Sequence, residues 1–423
     1  QEFLGKISVA EVMGSLYGRN VRLITSIGAI ALSVGSIAVQ IKVMSSLFNH
    51  FFVLDSIHAT LISSSVVILY SSFGGIKAVT FTDVIQFFTF GIFVPLFAIF
   101  LWKIFGDDRA TLIEIQQNPI FNLEKVFNLE NPTLFPHIAL FLYFLLPTLN
   151  PAIFQRMLMS RDIKQIQNSF SISAVTCFLF TLVASSIGIV ILAHDPTLNP
   201  SNLVMYIIDN YSYPGLKGFT LVGTIAMVMS TADSHINSAS VIFAHDVCKP
   251  FSVFQKVFKN ELLLSRIFAV FLGALAVIMT LSSYDLLGLV LLRANFYMPI
   301  VTVPLILTIM GFRSTSKSIL AGIIAGATTV VIWRLFVLPK TGIDSVIPGA
   351  IANLIITLSY HYLLKQPGGW KKAKQTTLNS PSTFSRISRD VSHIAATDIL
   401  AYCNKKLPKK EMIYSYFALS VAL

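Results

Sequence analysis

The sequence predicts an all-α polytopic membrane protein, on three observations. Mean hydropathy is +0.73, charged residues make up 12% of the chain and there are 34 phenylalanines in 423 residues, whereas a soluble domain carries about 25% charge. Ten apolar runs are long enough to cross roughly 30 Å of hydrocarbon at about 1.5 Å per residue. The segments between them are alternately rich and poor in Lys and Arg, a pattern that records which side of the membrane each one faces.

The first run, 22–45, is preceded by Lys6, Arg19 and Arg22. The second, 57–77, ends at Lys77, and Gly74 and Gly75 just ahead of it shape a turn into the third, 81–103. A long connection, 104–135, carries Asp107, Asp108, Glu114, Glu124 and Glu130 and leads to the fourth run, 136–154. Arg156, Arg161 and Lys164 stand between the fourth run and the fifth, 168–193. The sixth, 216–244, is followed by Lys249, Lys256, Lys259 and Arg266 around the start of the seventh, 262–282. Arg313 and Lys317 follow the eighth, 284–310, and the ninth and tenth occupy 317–336 and 346–365. Lys365, Lys371, Lys372, Lys374, Arg386 and Arg389 come after the tenth.

Both termini are therefore expected in the cytoplasm. The net charge of +11 is a record of topology and not a nucleic-acid footprint. Residues 1–365 form the transmembrane domain, and 366–423, rich in Ser, Thr and Lys, form a cytoplasmic, linker-like tail. Cys177, Cys248 and Cys403 have no paired spacing, and no nucleophile, base and oxyanion set stands out, so no enzyme is expected.

The sixth run contains "AMVMSTADSHINSASVIFAHDV". On a helix, Met227, Ser230, Thr231, Ser234 and Ser238 share one stripe, flanked by Asp233, Asn237 and Ser240. Hydroxyls can bond back to their own i−4 carbonyls, and small residues let helices approach closely; that reading suits Ser238, Ala239 and Ser240. Asp233 needs more, because an ionisable group at membrane depth normally faces a cavity or a partner. Ser230 and Thr231, with the carbonyl of Met227 one turn earlier, offer hard oxygens suited to sodium.

Two more runs carry chemistry. In "IALFLYFLLPTLNPAIFQ" Pro147 and Pro151 each remove an amide, so the helix is expected to break around Thr148 to Asn150. Free backbone groups at that depth are tolerated where they line a cavity. Arg293 in "GLVLLRANFYMPI" is roughly 14 Å inside its span. It meets either a solute carboxylate or, the favoured alternative, a structural partner such as Asp233 or helix-end carbonyls. Arg334 and Lys340, near a membrane edge, need only snorkel.

"MSTADSHINSASVIFAHDV" resembles the sodium-ligating helix of the sodium:solute symporter family, and "YSSFGGIKAVTFTDVIQ" (70–86) is similar to that family's signature. "LNPAIFQRML" (149–158) fits the same order, and the resemblance covers nearly all of 1–365. It implies a LeuT-type fold of two inverted five-helix repeats with ion and solute held near the midplane by broken helices. It implies Na+ as the coupling ion at Ser230 and Thr231, with the Met227 carbonyl. Asp83 matches an acidic residue on the inward sodium route, with Asp233 placed beside it; alternatively Asp83 is a helix N-terminal acid. Tyr143 matches an aromatic of the solute site, which takes in Pro147, Thr148, Asn150 and Arg293, while Pro147 replaces a second family aromatic.

The function implied is sodium-coupled symport of a small organic solute such as an amino acid, in a bacterial-type inner membrane, closest to sodium/proline symporters. "SIAVQIKVMSSLF" (36–48) and "HIAATDILAYCNKKLPKKE" (393–411) also resemble the membrane part and linker of symporter-histidine kinase hybrids. A solute-sensing domain with a C-terminal kinase module is thus the alternative, and a fragment of a split gene is a third. The chain begins where such relatives have their fourth span. Three helices are expected to be missing, supplied if at all by a separately encoded N-terminal part.

Overall fold

The structure is a computed structural model. It describes residues 3, 5–106, 113, 115–117, 121, 122, 124, 127–160, 162–195, 197–198, 203–249, 261–282, 284–295 and 297–370, the side chains of 73–78 and 261 excepted. Asp107, Asp108, Glu114, Arg161, Lys256, Lys259 and the tail from 371 onward lie outside the described residues.

Fourteen helices are described. They are α1 (Val9–Tyr17), α2 (Arg19–Phe52), α3 (Ser56–Leu101), α4 (Leu134–Leu145), α5 (Pro151–Leu158), α6 (Ile163–His194), α7 (Leu203–Tyr211) and α8 (Pro214–Ile242). After them come α9 (Glu261–Thr280), α10 (Leu286–Asn295), α11 (Val303–Ile309), α12 (Ser316–Ile332), α13 (Leu338–Thr341) and α14 (Val346–Leu363). Wider π-type turns extend α3 to Gly106 and α8 to Cys248, and another, Met298–Thr302, leads into α11. Among the described residues eight helices are long and apolar enough to cross a membrane, with two shorter apolar helices at Ser56–Ser72 and Leu134–Leu145. All ten apolar runs are thereby accounted for. The short α1 and α7 went unread, because neither carries a membrane-length apolar run.

α3 runs unbroken for 46 residues, about 69 Å and twice the hydrocarbon thickness. Yet the Tyr70 hydroxyl donates to Thr82 Oγ1, twelve residues on. A straight helix would put their Cα atoms about 18 Å apart, beyond a tyrosine's reach, so α3 bends between them. That bend falls in the stretch where the sequence placed its turn.

Inside a bilayer helices gain little by hiding apolar surface from one another, so they need close approach. A Cβ on Gly223 of α8 would sit 2.3 Å from Phe93 of α3, and one on Gly273 of α9 would sit 2.3 Å from Ile68. One on Gly326 of α12 would lie 2.7 Å from the Pro299 carbonyl oxygen. α2 is the centre of one group: Ile37, Ala38 and Ile41 pack with Val228, Ala232 and Ile236 of α8 and with Ala269 and Ala276 of α9. α12 and α14 pack together beside the α10–α11 turn, where Asn353 Nδ2 donates to the Pro299 carbonyl at 2.6 Å. α6 has only 11% of its apolar window buried, which gives it a lipid-facing surface.

The start of the expected linker is ordered. Gly369 and Trp370 form β2, antiparallel to β1 (Phe312–Arg313), with Phe312 opposite Trp370. Gly368, at φ 121°, permits this: a Cβ there would lie 2.3 Å from the Arg313 carbonyl oxygen.

Candidate functional site

α8 starts at Pro214, where a missing amide costs nothing, and carries its polar run through the middle of the helix. Met227, Ser230, Thr231 and Ser234 are half-buried along one side, whereas Asp233, His235, Ser238 and Ser240 are buried. Thr231 Oγ1 donates to the Met227 carbonyl at 3.2 Å, and Ser234 Oγ to the Ser230 carbonyl at 2.8 Å. Those are the i−4 bonds expected of hydroxyls in a helix, in which the hydroxyl donates and its oxygen can still accept. Ser230 instead donates outward, to Asp83 Oδ1 at 2.7 Å. Met227 O, Ser230 Oγ and Thr231 Oγ1 thus lie within about one turn of each other, an all-oxygen set that fits a hard monovalent cation better than a transition metal.

Asp83 is not engaged with its own first-turn amides. Arg156 Nη2 pairs with its Oδ2 at 2.5 Å and also donates to Ser234 Oγ at 2.6 Å. Asp233 is fully buried, and its Oδ2 has no hydrogen-bond partner among the described residues. Two carboxylates and a guanidinium therefore stand beside the hydroxyl turn. Sequence reading took Arg156 only as a topology marker, since nothing local reveals a partner 73 residues away.

The fourth run is broken as its prolines imply. α4 ends at Leu145, α5 begins at Pro151, and Leu149 between them adopts φ 46°, a left-handed conformation rare for leucine. The freed carbonyls are satisfied by hydroxyls from a second interruption, between α10 and α11. Tyr297 Oη donates to Leu149 O at 3.0 Å and Thr302 Oγ1 to Thr148 O at 3.2 Å. The sequence had read 284–310 as one continuous span; Pro299, which cannot supply an amide, accounts for the difference.

Tyr143 is buried, and its hydroxyl donates to Val290 O at 3.2 Å, one turn before Arg293. Pro147 and Thr148 are exposed. Asn150 caps α5 by accepting from the Ala152 amide at 2.9 Å, and its Nδ2 lies 3.2 Å from His235 Nε2. The other ring nitrogen, Nδ1, is 3.4 Å from Ser33 Oγ of α2. His235 was not singled out in the sequence, where it looks like one more polar residue in the run.

The favoured pairing of Arg293 with Asp233 is corrected. Arg293 Nη1 donates to Ser36 Oγ at 2.9 Å, and the ion pairs among the described residues include neither Arg293 nor Asp233. Gly35 of α2 makes room for the arginine, since a Cβ there would lie 2.4 Å from Arg293 Cβ. The two residues sit on different helices, and periodicity within one helix does not set the register between two.

Comparison with known proteins follows from this geometry. The pattern of the sodium:solute symporter family matches residues 3–326. The chain is 28% identical to a high-affinity choline transporter of Drosophila melanogaster over 56% of its own length and 40% of that protein's. It is 27% identical to a high-affinity proline transporter of Bacillus subtilis, over 76% of the chain and 68% of the transporter. The chain thus spans between 40% and 68% of the length of these curated relatives. A solved structure of a Na+-coupled sialic acid symporter, substrate-bound and outward-open, superposes with a TM-score of 0.66 over 86% of this chain and 79% of that one, at 18% identity. The fold is shared, and with the family pattern matched over most of its length the chain belongs to the sodium:solute symporter family.

Proposed function

We propose that the chain is membrane machinery for sodium-coupled symport of a small organic solute by alternating access. The observation that carries this is the set of three oxygens at Met227, Ser230 and Thr231 with the Asp83 carboxylate against Ser230. Such a site takes a partly dehydrated Na+ as cargo, with Asp83 and Asp233 along the route it leaves by. The solute lies against Tyr143, the segment Pro147 to Asn150, and Arg293.

Arg293 favours a carboxylate-bearing solute such as an amino acid. A guanidinium at membrane depth with a serine hydroxyl as its described partner calls for an anion. Quaternary ammonium ligands are held by aromatic cages, and a nearby arginine repels them, so a proline-like solute is favoured over a choline-like one. Both ends of the transmembrane domain face the cytoplasm of a bacterial-type cell. A solute-sensing domain joined to a kinase would use the same site; the ordered pairing of Gly369–Trp370 with Phe312–Arg313 is what favours that alternative.

The test is uptake into vesicles by the protein as its cell makes it, with whatever polypeptide adjoins this chain. Thr231→Ala and Ser230→Ala should each raise the sodium concentration for half-maximal uptake of amino acids, since each removes one oxygen from a small ligand set. Unchanged sodium dependence in both removes the cation reading.

A further inference from the structure

We propose that His235 and Asn150 form the link through which an ion at Met227, Ser230 and Thr231 sets the position of the interrupted segment 146–150. The proposal rests on the sodium-coupled function above. Its starting point is a chain of hydrogen bonds whose directions are forced. Asn150 Oδ1 accepts from the Ala152 amide, so the side-chain amide is oriented and its Nδ2 must be the donor toward His235 Nε2. Nε2 is then the acceptor, and the ring proton is assigned to Nδ1, which donates to Ser33 Oγ. Ser33 Oγ in turn donates to Ala29 O at 2.9 Å. A buried, neutral imidazole therefore joins α8 to the N-cap of α5 on one side and to α2 on the other.

His235 lies one helical turn after Thr231, and Asn150 is both the last residue of the break and the cap of α5. The far end of α5 is joined to the same helix through Arg156 and Ser234. α5 is thus fastened at both ends to adjacent residues of α8, Ser234 and His235, one turn beyond the hydroxyls. A cation bound to Thr231 Oγ1 and Met227 O turns the hydroxyl hydrogen away from that carbonyl and ends the bond now between them. The turn of α8 that relaxes, Met227 to Thr231, is directly followed by the one bearing Ser234 and His235, which shifts with it and carries Asn150 and the break along. Coupling of this kind needs one element that both sites bias, and α5 is that element.

The test uses Na+ alone. Thr148→Cys, in a background with Cys177, Cys248 and Cys403 replaced by Ser, reports the break through its rate of reaction with N-ethylmaleimide in membranes containing NaCl or KCl at equal ionic strength. The rates should differ about tenfold between the two salts, within the usual range for linked sites. His235→Asn keeps an amide near Ser33 but cannot reach Asn150, and should bring the ratio to about one. His235→Gln places an acceptor where Nε2 stood, and should preserve the ratio. In both variants Na+ should still raise the thermal midpoint, an effect that Thr231→Ala abolishes.

If His235→Asn retains the sodium response, or His235→Gln loses it as well, the link is overturned. So is it if Na+ shifts the midpoint of the parent protein while the reporter at 148 ignores the ion, a result that leaves the sodium-coupled function standing. No midpoint shift at all removes both. Should His235→Asn not fold, Asn150→Ser, which still caps α5 but is too short to reach the ring, gives the same reading. Loss of folded protein in both of these while His235→Gln folds marks a packing contact and overturns the proposal.

Discussion

Arg22 holds Asp246 in place: Nη2 lies 2.7 Å and Nε 2.8 Å from Oδ1 of a fully buried carboxylate, whose other oxygen accepts from Ser8 Oγ at 2.5 Å. α1, the start of α2 and the end of α8 meet at this one aspartate. Removing one partner of a buried pair typically costs about 3 to 5 kcal/mol, because the remaining charge is uncompensated. Arg22→Met should therefore lower the thermal midpoint and monodisperse yield in detergent, and adding Asp246→Asn should restore part of both. Normal yield for Arg22→Met alone would show that the pair is not structural.

Glu11, ahead of the first span, gives that corner a pH dependence. Partial burial opposes its ionisation, but the Ile7 amide, His245 and Lys6 outweigh this and hold the carboxyl below its ordinary value of 4.5. A group depressed in the folded state contributes fully above pH 4.5, and the contribution disappears as pH falls through the folded value. The midpoint should thus drop below about pH 4.5, and Glu11→Gln should be less stable at neutral pH with a shallower acid loss. Parallel curves for the two proteins would contradict this.

Arg293 and Asp233 share no partner among the described residues, so their effects should be independent. In detergent, destabilisation by Arg293→Ala and by Asp233→Ala should add to within about 0.5 kcal/mol in the double variant. A rescue of more than about 1 kcal/mol would reinstate the pair that the sequence suggested.

Orientation can be checked separately. Reporter fusions after residues 164, 256 and 370 should read cytoplasmic and one near 120 external, following the alternation of Lys and Arg. Residues 120 and 256 reporting the same side would refute the ten-run topology.

The apolar runs were legible because a bilayer imposes a length, and the break at Pro147 and Pro151 because proline cannot donate. The hydroxyl stripe of α8 was legible too, since polar residues at membrane depth are conspicuous. What stayed hidden lies between helices. Arg156 reads as a marker of the membrane edge until Asp83 is seen beside it. His235 looks like part of a polar run until Asn150 and Ser33 are found on its two nitrogens. Arg293 was given the charged partner that chemistry favours, and Ser36 took the place because α2 brings Gly35 against it.

The hydroxyls of Tyr297 and Thr302 on the carbonyls of Leu149 and Thr148 make two unwound segments, some 150 residues apart in the chain, into a single mechanical part. If either moves alone, the carbonyls of Thr148 and Leu149 lose their hydroxyl partners, at roughly 0.5 to 1.5 kcal/mol for each bond. Rearrangement at the centre of the membrane therefore has one degree of freedom shared by the two breaks, the second of which the sequence reading had taken as continuous helix.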